Sequence, residues 1–286
     1  MNRLEEELNE LTKNELRGAA VRAKIQYYEE GEKSTKFFLG LEKSRQKKKV
    51  MRKLVTDQGH LVLNQEDILN EQVHFYKKLY KEGPTNDQAQ NSFLNNICNF
   101  LSPTDTELCD QELTTNELKT ALYAMKYNKS PGLDGLTAEY FKYFWWHFND
   151  IFHFLLERIF KNNELCQSMK IGVISLIPKK GDLTRLNNWR PISLLNTDYK
   201  IINKALANII SRVITNLISE DQTCCIPGRD ISENVIAMNL IIDHVKDNNS
   251  NGFILKIDQY KAFDCVNHDY LFNVIKAMGF GPNFQK

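Results

Sequence analysis

Cysteine is sparse and unordered in this 286-residue chain: there are six residues, none in a C-x-x-C spacing and none beside paired histidines. Neither a zinc site nor a disulfide framework is implied, and such usage fits a reducing setting inside the cell, cytoplasm or nucleus. Long hydrophobic runs are also missing. No stretch approaches the roughly 18 apolar residues that a membrane span needs, and the charged N-terminus "MNRLEEELNELTKNELRGAAVRAK" has no apolar leader core, so a soluble chain is expected. No charge sign dominates, since 37 Lys and Arg stand against 36 Asp and Glu. Several motifs fail as well. "SPGLDG" and "PKKGDL" do not satisfy G-x-x-x-x-G-K-[ST], and there is no H-E-x-x-H, no Ser-His-Asp order, no internal repeat and no Asp-Asp dipeptide.

What is present is a chain 42% hydrophobic, long enough to bury a core in one or two domains. The balanced total conceals local asymmetry. Residues 42–53, "EKSRQKKKVMRK", hold seven basic side chains and one acidic, the segment from Lys170 to Lys200 is basic, and residues 57–118 lean acidic. Basic patches suit a polyanion, although a charge run is also an ordinary solvated face.

Periodicity predicts helices over 1–29, from Ser34 through Phe37, Phe38 and Leu41, over 65–81, 87–101 and 114–126, along the aromatic stretch "LTAEYFKYFWWHFNDIFHFLLERIF", over 198–219 and 231–246, and from Asn267 to Met278. "MRKLVTDQGHLVLN" reads as a hairpin, while "IGVISLIP" (171–178) and "GFILKID" (252–258) read as strands. The class is α+β, helix-rich towards the N-terminus. A division into a helical, partly basic region 1–110 and a second region 111–286 is expected.

In "KIDQYKAFDCV" the aspartate Asp258 leaves its expected strand at the carboxyl end, where a ligand can reach it; an Asp there also serves routine turn hydrogen bonding. Asp264 reads as a cap for the helix that follows. The loop "IPKKGDLTRLNNWRP" presents Lys179, Lys180, Arg185 and Arg190, cations able to hold a triphosphate, and "QTCCIPGRD" places Gly228 and Arg229 on a turn.

Five segments occur in order: "EEGEKSTKFFLGLEK", "KSPGLDGLTAEYFK", "ISLIPKKGDLTRLNNWRPISLLNTDYKIINKALANII", "DQTCCIPGRDISENV" and "LKIDQYKAFDCVNHDYL". Together they resemble the reverse transcriptase region of non-LTR (LINE-type) retrotransposon proteins from about residue 20 onward. The resemblance implies part of a right-hand polymerase, with fingers and an incomplete palm, acting on an RNA template with a DNA primer and dNTP. It implies Arg190, with Lys179 and Lys180, at the nucleotide phosphates, and Gln222, Gly228 and Arg229 on the template side. Asp258 becomes a catalytic carboxylate binding Mg2+, and Phe263 the bulk that crowds the sugar 2′ position. Two divalent ions need more than one carboxylate, and the family's second pair, an Asp-Asp, does not occur in this sequence. The expected outcome is therefore a polymerase portion inactive by itself. The alternative is an RNA-binding or assembly fragment, or a non-functional remnant of a mobile element, with Lys47, Lys48 and Lys49 contributing to RNA contact.

Overall fold

The structure is a computed structural model that describes residues 51–81 and 83–286. The helices expected over 1–29 and after Ser34, and the basic run as far as Val50 with Lys47, Lys48 and Lys49, lie outside the described residues. The chain divides into two compact units, one comprising residues up to Lys78 with Ile174–Ile192, the other Leu79–Val173 with Ser193–Lys286.

The first unit begins with the anticipated hairpin. Strands β1 (Leu54–Val55) and β2 (Leu61–Val62) pair antiparallel, Leu54 opposite Val62, about a turn in which Thr56 N–H donates to the His60 carbonyl at 2.9 Å. Helix α1 (Gln65–Leu79) follows, with Glu66 and Asp67 in its first turn and Lys77 and Lys78 in its last, each charge favourably placed on the helix dipole. Ile68 from α1 and Leu54 from the hairpin are fully buried against Leu186 and Trp189, which come from the later basic loop. Two hydrogen bonds fasten that loop: Val55 N–H to the Thr184 carbonyl at 2.8 Å, and the Trp189 indole N–H to the Leu183 carbonyl at 2.9 Å. An indole has a single donor, so a buried Trp189 is tolerated because that donor is used.

The second unit is helical. Its elements are α2 (Asp87–Asn95), α3 (Pro103–Cys109), α4 (Thr115–Ala124), α5 (Ala138–Tyr143), α6 (Trp145–Asn162), α7 (Thr197–Leu217), α8 (Ile231–Asp247) and α9 (His268–Ala277). Caps explain most of the boundaries. Thr114 and Glu117 form a reciprocal capping box for α4, Ser102 accepts from Asp105 N–H with Pro103 in the first turn of α3, and Asp230 accepts from Ser232 N–H at α8. The core centres on α7. Its Ile201, Ile202, Ala205, Ile209, Val213 and Leu217 are buried at helical spacing, packed with Leu118, Ala121 and Leu122 of α4 and with Phe141, Trp145, Phe152 and Leu156. Removing each of the Leu, Ile, Val and Phe side chains among these from water contributes about 1.5–3 kcal/mol. Gly279, at φ +89°, ends α9 in a left-handed turn that a side chain would disfavour, and its carbonyl accepts from the Thr106 hydroxyl at 2.8 Å.

Several expectations are corrected. The aromatic stretch forms two helices, broken at Phe144 (φ −102°, ψ 19°); the break lets Phe141 and Phe152 both reach the core while Trp145 stacks on Phe152 at 5.5 Å. Helix α2 stops at Asn95, short of residue 101, and α3 is an additional helix. A second strand, β4 (Trp189–Leu195), pairs with β3 (Gly172–Pro178) where a loop running into a helix was anticipated. No strand forms over 252–258. Phe253 and Leu255 are 101% and 80% exposed, and the described strands pair only as β1–β2 and β3–β4, so this segment has no neighbour to supply its ladder. Leu101 and Cys109 share one core with Leu113 and Leu118.

Candidate functional site

The basic loop of the first unit is braced by hydrogen bonds. Between β3 and β4, Lys179 N–H donates to the Asn188 carbonyl at 2.8 Å, and Asp182 organises the tip by accepting from both the backbone N–H and the hydroxyl of Thr184. Those bonds, the hydroxyl first, hold the Asp182 carboxyl below the usual carboxylate range. Asp182 is therefore an anion that offsets one cation, Arg185, whose Nε lies 3.9 Å away. Lys179, Lys180 and Arg190 remain exposed, and Lys179 Nζ donates to the Asn187 carbonyl at 3.4 Å. Three of the sequence-derived candidates thus sit on one hairpin, facing solvent.

In the second unit, the "SPGLDG" loop is clasped to the start of α7. Gly132 lies so close to Asn196 that a Cβ would come within 2.5 Å of the Asn196 backbone nitrogen and 2.6 Å of the Leu195 carbonyl carbon; only glycine fits. The Thr197 hydroxyl donates to the Leu136 carbonyl at 2.5 Å, Lys200 Nζ to the Ser130 carbonyl at 3.0 Å, and Asn196 Nδ2 to the Ser168 carbonyl at 3.2 Å. Lys142, buried, donates Nζ to the Tyr123 and Met125 carbonyls at the end of α4 and lies 4.0 Å from the Tyr127 ring centre. Asp198, half-buried in the first turn of α7, has its carboxyl pushed up by desolvation; Tyr199 N–H opposes this and the nearby Asp134 charge adds to it. The reading from sequence missed Asn196, Thr197 and Lys142, whose only signal was a polar residue beside an apolar run.

The turn joining α7 to α8 holds the next three candidates. Gln222 and Gly228 are exposed, Gly228 at φ +79°. Arg229 is half-buried, and its guanidinium donates to four backbone carbonyls: Ser219 at 2.5 Å, Gln222 at 2.8 Å, Ile218 at 2.9 Å and Thr215 at 3.1 Å. These include carbonyls that the end of α7 leaves without helical partners, so this side chain acts first as a helix cap.

Asp258 and Phe263 are both exposed, Phe263 completely. Asp264 does not cap α9. That position belongs to Asn267, which accepts from Tyr270 N–H at 2.7 Å, while Asp264 bonds to Tyr80; burial first, and then Asp264, push the Tyr80 hydroxyl up.

The basic hairpin, the clasped glycine loop and the turn after α7 carry the segments that bear the polymerase resemblance, and each presents a braced backbone. Residues 177–286 match the family described as Reverse transcriptase (RNA-dependent DNA polymerase), so this is reverse transcriptase sequence. The chain is 37% identical over 279 residues, 98% of its length, to the Transposon TX1 uncharacterized 149 kDa protein of Xenopus laevis. It is 25% identical over 105 residues, 37% of its length, to the Retrovirus-related Pol polyprotein from type-1 retrotransposable element R2 of Popillia japonica. The match and these two relatives support reading the chain as part of a non-LTR retrotransposon reverse transcriptase. The chain spans 21% of the first relative and 14% of the second.

Reverse transcriptases generally use magnesium. Among the described residues no group of three or more His, Cys, Asp or Glu side chains is gathered where a metal could sit, and Asp258 is exposed to solvent. A divalent ion needs several oxygen ligands, and Asp258 by itself supplies too few. No described helix is long and apolar enough to cross a membrane.

Proposed function

We propose that the chain forms a nucleic-acid-holding portion of a non-LTR reverse transcriptase, with the fingers and the first part of the palm of a right-hand polymerase, which contacts RNA template with its DNA primer and the dNTP phosphates. The observation that supports this best is the β3–β4 hairpin, where Lys179, Lys180 and Arg190 stay exposed while the Asp182 carboxylate is committed to the turn. Phosphate contacts of this kind release counterions and make binding steeply dependent on salt. Asp258 is proposed as the first metal-binding carboxylate of the complete polymerase and Phe263 as the residue beside the sugar. Gln222 and Gly228 are proposed on the template side, with Arg229 acting there through the turn it braces.

The test is a fluorescence-anisotropy titration of a primed RNA over a range of salt. Replacing Lys179, Lys180 and Arg190 with Gln should weaken binding across sequences and flatten the salt dependence by about one unit of slope for each phosphate no longer neutralised. An unchanged slope would refute the assignment. Because no metal cluster forms among the described residues, the chain alone should not extend the primer; extension that Asp258→Asn abolishes would overturn that part.

A further inference from the structure

Cys224 and Cys225 have no role in the reading above. They lie in the exposed turn after α7, with their sulfurs 3.4 Å apart, and Cys225 holds a left-handed φ of 65°. That conformation is uncommon for a side-chain-bearing residue and persists where its surroundings enforce it. Here they do so from both sides. Thr223 is buried and accepts from Asn234 Nδ2 of α8 at 2.8 Å, while Arg229 grips the Gln222 carbonyl at 2.8 Å. The two thiols are therefore held together by a braced backbone rather than by adjacency alone.

We propose that Cys224 and Cys225 form a vicinal dithiol modification site, closing to an intramolecular disulfide by exchange with a small-molecule disulfide such as oxidised glutathione. The Cys225 thiolate attacks one sulfur of the reagent, whose other half leaves as a thiolate. Cys224 then loses its proton and attacks the Cys225 sulfur of the mixed disulfide, expelling the second thiolate. The protein gives up two electrons, the reagent's sulfur–sulfur bond is reduced, and the two protons end on the two released thiols. The hydrogen bond to Cys225, and then the charge there, push the Cys224 thiol up. Consecutive Cα atoms are about 3.8 Å apart, closer than the roughly 4.4–6.8 Å usual across a disulfide. The bridge is consequently strained and easily reduced, which suits a reversible modification.

The whole chain, reduced and then treated with oxidised glutathione, tests this by intact mass and peptide mapping. The expected product has lost the mass of two hydrogens, with both cysteines in one bridged peptide, and returns to the dithiol with dithiothreitol. Cys224→Ser should instead stop at a stable glutathione adduct on Cys225. Closure in the folded chain should run at least about tenfold faster than in urea, because the turn holds the sulfurs in position. A persistent glutathione adduct on the unaltered chain, a bridge to Cys98, Cys166 or Cys265, or equal rates folded and unfolded would each overturn the proposal.

Discussion

Arg229 should be a stability determinant of the second unit. Replacing it with Ala removes four charge-assisted hydrogen bonds at the end of α7, two of them, to Thr215 and Ile218, in a partly buried setting. Hydrogen bonds to a charged group are worth about 1.5–3 kcal/mol each in favourable settings, but water can replace the donor at the two exposed carbonyls, Ser219 and Gln222. Because Arg229 is only half-buried, each bond of the partly buried pair is discounted to about 1–1.5 kcal/mol, and the loss is about 2–3 kcal/mol. A lysine carries the charge on a single point and satisfies fewer of these carbonyls, so Arg229→Lys should recover roughly half of that. Amide hydrogen exchange is the suitable assay because it resolves one segment of a chain with two compact units. In Arg229→Ala the amides of Ile218, Gln222 and Arg229, which bond to Ile214, Ser219 and Ile226, should exchange about 30- to 150-fold faster, while those of α4 change far less. Protection within about threefold of the parent in that segment would refute the capping argument.

Gly132→Ala forces a methyl against the Asn196 backbone and should cost about 2–4 kcal/mol in urea unfolding monitored by circular dichroism; a loss under about 1 kcal/mol would show that the loop yields. Thr114→Ala breaks the capping box of α4 and should cost about 1 kcal/mol in the same assay. Asp198 has a raised pKa, so the native state holds its proton above the pH at which the unfolded chain releases it, and this group's contribution to stability falls as pH rises through that window. Asp198→Asn keeps an acceptor for Tyr199 N–H and should therefore flatten the fall in stability as pH rises above the ordinary Asp range, about 4; an unchanged profile would contradict the burial argument.

Much of the helical framework was legible in the residues. The apolar spacing along α7, Thr114 before α4, and Gly279 after α9 are local signals, and each marks what it should. Other signals failed where the outcome depended on contacts distant in sequence. "GFILKID" has the composition of a strand, yet a strand exists only through its partners, and no described strand lies beside it. The aromatic block carried a helical pattern, but the turn at Phe144 answers to the shape of the core. "WRPISLL" contains a proline and follows a polar loop, so its pairing with β3 was hidden.

The same division separates the candidate residues. The order of motifs and the exposed cations of the β3–β4 loop could be read directly, because residue type and spacing carry that chemistry. That Arg229 is committed to four carbonyls, that Gly132 must be glycine because Asn196 lies against it, and that Cys224 and Cys225 are held sulfur to sulfur were decided only in three dimensions. The physical reason is that a side chain's donors and acceptors are assigned by whichever backbone groups folding leaves unsatisfied nearby, and a linear sequence does not reveal which those are.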